Sequence, residues 1–177
     1  MKRKSFLFLM LLLCPALLIA TDYDHTIHKG EMAFAWKIDG KKLHIKLRAK
    51  TKGWVGIGFN PEKVMKGANI LIGRVKKGKA SVRDDIGTSI ITHSSDKKMG
   101  GKGNVSAISG NEKAGYTELL FTIPLDSGDA KDTVIQPNGE TVVMLAFGRS
   151  DSYHLGHKFV TTLKVNLTTG TNSNYVY

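Results

Sequence analysis

Cysteine is nearly absent from this sequence. The single one, Cys14, lies in an N-terminal stretch that reads as a removable leader. "MKRKSFLFLMLLLCPALLIATDYD" runs from Lys2, Arg3 and Lys4 through an apolar segment to small residues at Ala16 and Ala20. This is the layout of a secretory signal peptide, residues 1–20, cleaved after Ala20. Pro15 interrupts the apolar run, which is short for a membrane span. A lipid anchor on Cys14 would need small residues where Leu12 and Leu13 stand. The expected mature chain therefore has no disulfide, although an exporting compartment permits them. The missing Cys-x-x-Cys-His motif also excludes a covalently attached c-type haem.

Other absences narrow the function classes. No Gly-x-Ser-x-Gly element and no placeable pair of catalytic acids is present, so the chain is not expected to be an enzyme. Acidic residues are few: 15 Asp and Glu stand against 26 Lys and Arg, a formal net charge of +11. Three of those positive charges belong to the leader, and the other lysines are scattered rather than blocked with aromatics. That pattern argues against nucleic acid. It fits a solvated basic surface, or attraction to an acidic partner protein or an anionic cell surface, with no membrane-spanning segment in the mature chain.

A sustained helical period is missing too, and strands fill the chain instead. In "KLHIKLRA" Leu43, Ile45 and Leu47 alternate with Lys42, His44, Lys46 and Arg48. "MAFAWKI" alternates likewise, and Asp39-Gly40 between the two is a hairpin signal. Similar runs follow in "GWVGIGF", "NILIGRV", "KASVRD", "YTELLFTI", "TVVMLAF" and "FVTTLKVNL". The length suits one domain. The expectation is an all-β, immunoglobulin-like antiparallel sandwich of about nine to eleven strands. It would span residues 21–170 and be followed by a loose polar tail, 171–177. Residues Thr92 to Asn104 are rich in Gly, Ser and Lys and read as a long flexible loop.

The order of "GWVGIGF", "MKGANILIG", "SVRDD", "GYTELLFTIPLDSGDAKD" and "MLAFGRSDSYH" resembles the DOMON domain, the family named for the dopamine β-monooxygenase N-terminal region. The family includes the cytochrome domain of cellobiose dehydrogenase. The resemblance runs from Ala33 to Leu167; one departure is Asn69, where the family usually has Asp. It implies an exported b-type cytochrome, periplasmic or at the cell surface. Such a domain holds non-covalent haem b between a methionine and a histidine and exchanges single electrons with a redox partner. Met65 matches the family's methionine. The histidine would come from "SDSYHLGHK", which offers His154 and His157.

His154 carries the family's Tyr-His pattern with Tyr153. His157 is reached by counting back in twos from inward-facing Leu163 and Val165. Trp54, Val64, Ile70, Phe147, Tyr153 and Phe159 are candidates for the ring's apolar slot, and Lys66, Arg149 and Lys158 for cations near its propionates. By residue type alone, Met65 also suits gap-filling under a loop. Asp126, Asp129 and Asp132 read first as turn chemistry, and secondarily as carboxylates able to share a calcium ion. A haem-free module binding a sugar or other small ligand, and a docking subunit of a larger redox complex, are the alternative functions.

Overall fold

The computed structural model describes residues 22–177; the expected leader lies outside them. Two antiparallel sheets pack face to face. The first has the order β1 (His25–Lys29), β2 (Met32–Asp39), β3 (Lys42–Ala49), β9 (Tyr116–Pro124), β8 (Ser106–Lys113). The second runs β12 (Asn172–Asn174), β11 (His157–Val165), β10 (Thr141–Gly148), β4 (Val55–Phe59), β5 (Asn69–Lys76), β6 (Lys79–Gly87), β7 (His93–Ser95). The all-β sandwich expected from the alternation is thus the fold. Four strands, β1, β7, β8 and β12, add to the eight runs legible in sequence, and β7 and β12 have only three residues each.

Period-two alternation builds the core, because successive strand residues point to opposite faces. Phe34, Trp36, Leu43, Ile45 and Leu47 from the first sheet meet Val55, Ile57, Phe59, Leu71, Val143 and Leu145 from the second. Burying each large apolar side chain contributes roughly 1.5–3 kcal/mol. Trp36 also satisfies its indole N–H with the Leu167 carbonyl at 2.8 Å. At the β5–β6 turn Lys77 and Gly78 both have positive φ, the backbone of a two-residue hairpin whose twist matches its strands.

Three segments depart from the sequence reading. Residues 92–104 are not an unattached loop: β7 pairs with β6, and a 3-10 turn, Asp96–Met99, follows with Asp96 fully buried. The tail is tied down as well. β12 pairs with β11, the Tyr175 N–H donates to the Thr162 carbonyl at 2.9 Å, and the Tyr177 hydroxyl donates to the Val64 carbonyl at 2.9 Å. Third, the β10–β11 register shifts: Phe147 pairs with Phe159, but Gly148 pairs with His157, leaving Lys158 as an extra residue. No helix among the described residues is long and apolar enough to cross a membrane.

Candidate functional site

The outer face of the seven-stranded sheet carries an apolar strip. With Val55, Ile57 and Phe59 pointing into the core, Gly56 and Gly58 of β4 face outward. By the same alternation Ile70 and Ile72 of β5 and Met144 of β10 face outward, yet they are only 8%, 2% and 8% exposed. Gly58 leaves room for Met144: a Cβ there would sit 2.5 Å from the Met144 methyl, which would have to swing aside.

Met65 closes one end of the strip. It packs against Ala68, Ile70 and Met144. Its turn is held by hydrogen bonds from the Glu62 N–H to the Lys66 carbonyl at 2.8 Å and from the Ala68 N–H to the Met65 carbonyl at 3.1 Å. The turn lies hard against β6, where a Cβ at Gly87 would fall 1.6 Å from the Met65 carbonyl oxygen.

The β10–β11 connection closes the other end. Trp54 faces outward over Gly148, where a Cβ would lie 2.2 Å from its Nε1, and that indole N–H donates to the Leu155 carbonyl at 3.3 Å. Arg74 donates to the Asp151 carbonyl at 2.7 Å. The Tyr153 ring lies 4.7 Å from the Arg74 guanidinium and 4.8 Å from that of Arg83. These contacts fold residues 150–155 over the same face that holds Met65.

Met65, Trp54, Ile70 and Tyr153 therefore share one face, and His154 belongs to the loop folded over it. His154 and His157 are exposed and stand at the opposite end of the strip from Met65. The span along β4 is about 14 Å at the usual rise per residue.

Several expected neighbours lie elsewhere. Phe147 and Phe159 stack at 5.3 Å inside the core. Lys158 reaches the five-stranded sheet, 3.3 Å from Glu31. Val64 is exposed in the turn, Arg149 is exposed, and Lys66 pairs with Glu62 at 2.9 Å. The bulge at Lys158 cancels the parity count that led to His157.

Sequence reading passed over the charged group beside the strip. Asp85 is fully buried, with Arg83 and His93 each at 2.5 Å. Burial opposes its ionisation, but hydrogen bonds from His93 and Arg83 outweigh that and hold the carboxyl below its ordinary value. A signal for it existed: if Val82 points inward, Arg83 and Asp85 point outward and Asp84 inward.

The donor set suits a flat apolar group with a metal centre. A half-buried thioether packs on an apolar strip where β4 presents only Gly56 and Gly58, and the side chains of His154 and His157 make no hydrogen bond or ion pair among the described residues. A six-coordinate iron needs one soft and one imidazole ligand of this kind in Met/His cytochromes.

The fold is similar to that of cytochrome domains from two dehydrogenases. The cytochrome b domain of pyranose dehydrogenase from Coprinopsis cinerea aligns with a TM-score of 0.60 at 12% identity, over 77% of this chain and 78% of that one. The cytochrome domain of Myriococcum thermophilum cellobiose dehydrogenase aligns with a TM-score of 0.56 at 10% identity, over 79% and 77%. Residues 28–148 match the DOMON domain family, and the chain belongs to it. MOXD1 homolog 2 of Drosophila melanogaster is 26% identical over 135 residues, 75% of this chain and 17% of that protein. DBH-like monooxygenase protein 1 of Homo sapiens is 24% identical over 131 residues, 74% of this chain and 21% of its own length. The chain thus spans about a fifth of these curated relatives.

Proposed function

We propose that this chain is an exported b-type cytochrome domain, not a catalyst, that holds haem between Met65 and His154 and exchanges single electrons with an acidic redox partner. The observation that carries the reading is that the Met65 turn and the His154 loop close the two ends of one buried apolar strip on the same sheet face. The fold shared with two cytochrome domains supports it. When bound, haem supplies a one-electron couple. The soft, neutral sulfur of Met65 favours the ferrous state and raises the potential. Trp54 and Ile70 exclude water from the strip. Arg74 and Tyr153 hold the loop from which His154 projects; His157 is the alternative ligand. Purified with haem available, the protein should be red and show the sharp α and β bands of low-spin six-coordinate iron when reduced. Acidified organic solvent should extract the haem completely. A haem-reconstituted sample without a Soret band refutes the reading.

A haem-free binding module is the second reading, favoured by a different surface. A cavity of about 620 Å³ opens on the outer face of the five-stranded sheet, lined by Tyr23, Lys46, Arg48, Lys50 and Tyr116. Arg48 lies over the Tyr116 ring at 3.5 Å. Such a groove suits an anionic sugar. A colourless protein that binds one by calorimetry, and loses it in Arg48→Ala, would favour this reading over the cytochrome.

A further inference from the structure

The sequence suggested Asp126, Asp129 and Asp132 as carboxylates able to share a cation. The fold separates them. Asp126 is exposed and caps its own turn by accepting from the Gly128 N–H at 2.9 Å. Asp129 accepts from the Lys131 and Lys102 N–H groups. Asp132 instead meets Asp84 of β6 and Asp96 of the 3-10 turn, with one oxygen from each lying within 4.8 Å of the others.

Asp84 is 5% exposed and Asp96 is fully buried. Four buried carboxylate oxygens there have no hydrogen-bond donor: Asp84 Oδ1, both oxygens of Asp96, and Asp132 Oδ1. No lysine or arginine among the described residues forms an ion pair with any of the three. The remaining oxygens are held in place: Asn104 donates its backbone N–H to Asp84 Oδ2 at 2.8 Å and its side-chain amide to Asp132 Oδ2 at 2.7 Å. One asparagine thus ties two of the three carboxylates together.

Three carboxylates buried together without a counter-charge are strongly unfavourable unless protonated or neutralised by a cation. Oxygen-only ligands favour hard cations. Calcium accepts irregular sets of carboxylate oxygens, whereas magnesium demands near-octahedral geometry and keeps several of its waters, so three aspartates from three separate segments suit calcium better. We propose that Asp84, Asp96 and Asp132 form a calcium site that fastens residues 96–104 and the β9–β10 connection to strand β6. Burial, then the neighbouring carboxylates, push the Asp84 carboxyl up to about 7 and that of Asp96 to about 8, which is the electrostatic load a divalent cation would remove.

Thermal unfolding of the EDTA-treated protein, with and without added Ca²⁺, tests this. At a hundredfold excess over Kd the midpoint should rise by about 5–10 °C, and less with Mg²⁺ at the same concentration. Asp96→Asn removes one ligand of the site, so it should lose the Ca²⁺ shift. Asp126→Asn, outside the cluster, should keep it. No Ca²⁺ shift in wild type, a shift that survives in Asp96→Asn, or an equal response to Mg²⁺ overturns the proposal. These readouts do not depend on haem, so they stand or fall apart from the cytochrome reading.

Discussion

Met65 is the residue on which most depends, because it packs against the small Ala68, Ile70 and Met144 cluster rather than in the main core. Met65→Ala should leave the fold intact, costing about 2–3 kcal/mol or less at a half-buried site. It should convert part of the reduced spectrum to high-spin and lower the potential measured by redox titration. Replacing each loop histidine by alanine decides the other ligand. Loss of the low-spin bands in His154→Ala, with His157→Ala near normal, is the expected outcome; the reverse assigns His157. Beside the strip, Asp85 provides a pH test. Its carboxyl titrates below its ordinary 3.8. The stabilisation is therefore fully present above about pH 4 and lost as pH falls through the lower folded-state value. Asp85→Asn should cost about 1–3 kcal/mol at neutral pH and flatten the acid limb of a stability-versus-pH curve from chemical denaturation.

At the level of elements, β6 and the Met65 turn fit with no room to spare. Gly87→Ala places a methyl where the Met65 carbonyl oxygen now sits. It should push the turn off the strip, lowering stability by about 1–3 kcal/mol and weakening haem retention in a competition assay with apomyoglobin. The strands themselves were legible because alternation maps onto sheet faces: Leu43, Ile45 and Leu47 are all fully buried. What escaped was whatever one residue or one long loop could change. The extra residue at Lys158 turns both it and Phe159 toward the five-stranded sheet, which no parity count detects. Asp84, Asp96 and Asp132 are separated by 12 and 36 positions, so only the folded chain gathers them. Met65 stood out by its motif, but its packing on the Ala68, Ile70 and Met144 cluster is visible only in the folded chain.

For the whole molecule, charge is the handle. Scattered lysines give the surface a positive field, and encounter with an acidic partner should be steered by it. Stopped-flow electron transfer to such a partner should slow about tenfold or more between 10 and 150 mM salt, as the Debye length shrinks from about 30 to 8 Å. A rate independent of salt would argue for a neutral docking surface.

The pairing of β4 with β10 has a consequence in time. Ile57 lies opposite Leu145 and Val55 opposite Phe147, so the middle of the seven-stranded sheet joins chain segments about ninety residues apart. β3 and β9 are similarly remote, with Ile45 opposite Phe121. The Met65 turn leaves β4 and the His154 loop leaves β10, so a chain still emerging from the ribosome has one half of the site and nothing to close it. Folding should be slow for the size, in milliseconds to seconds, as non-local strand pairing dictates. Any prosthetic group must then be captured late, by a chain that has already been made to beyond Gly148, and a shortage of that group would leave behind a folded, colourless protein rather than an aborted one.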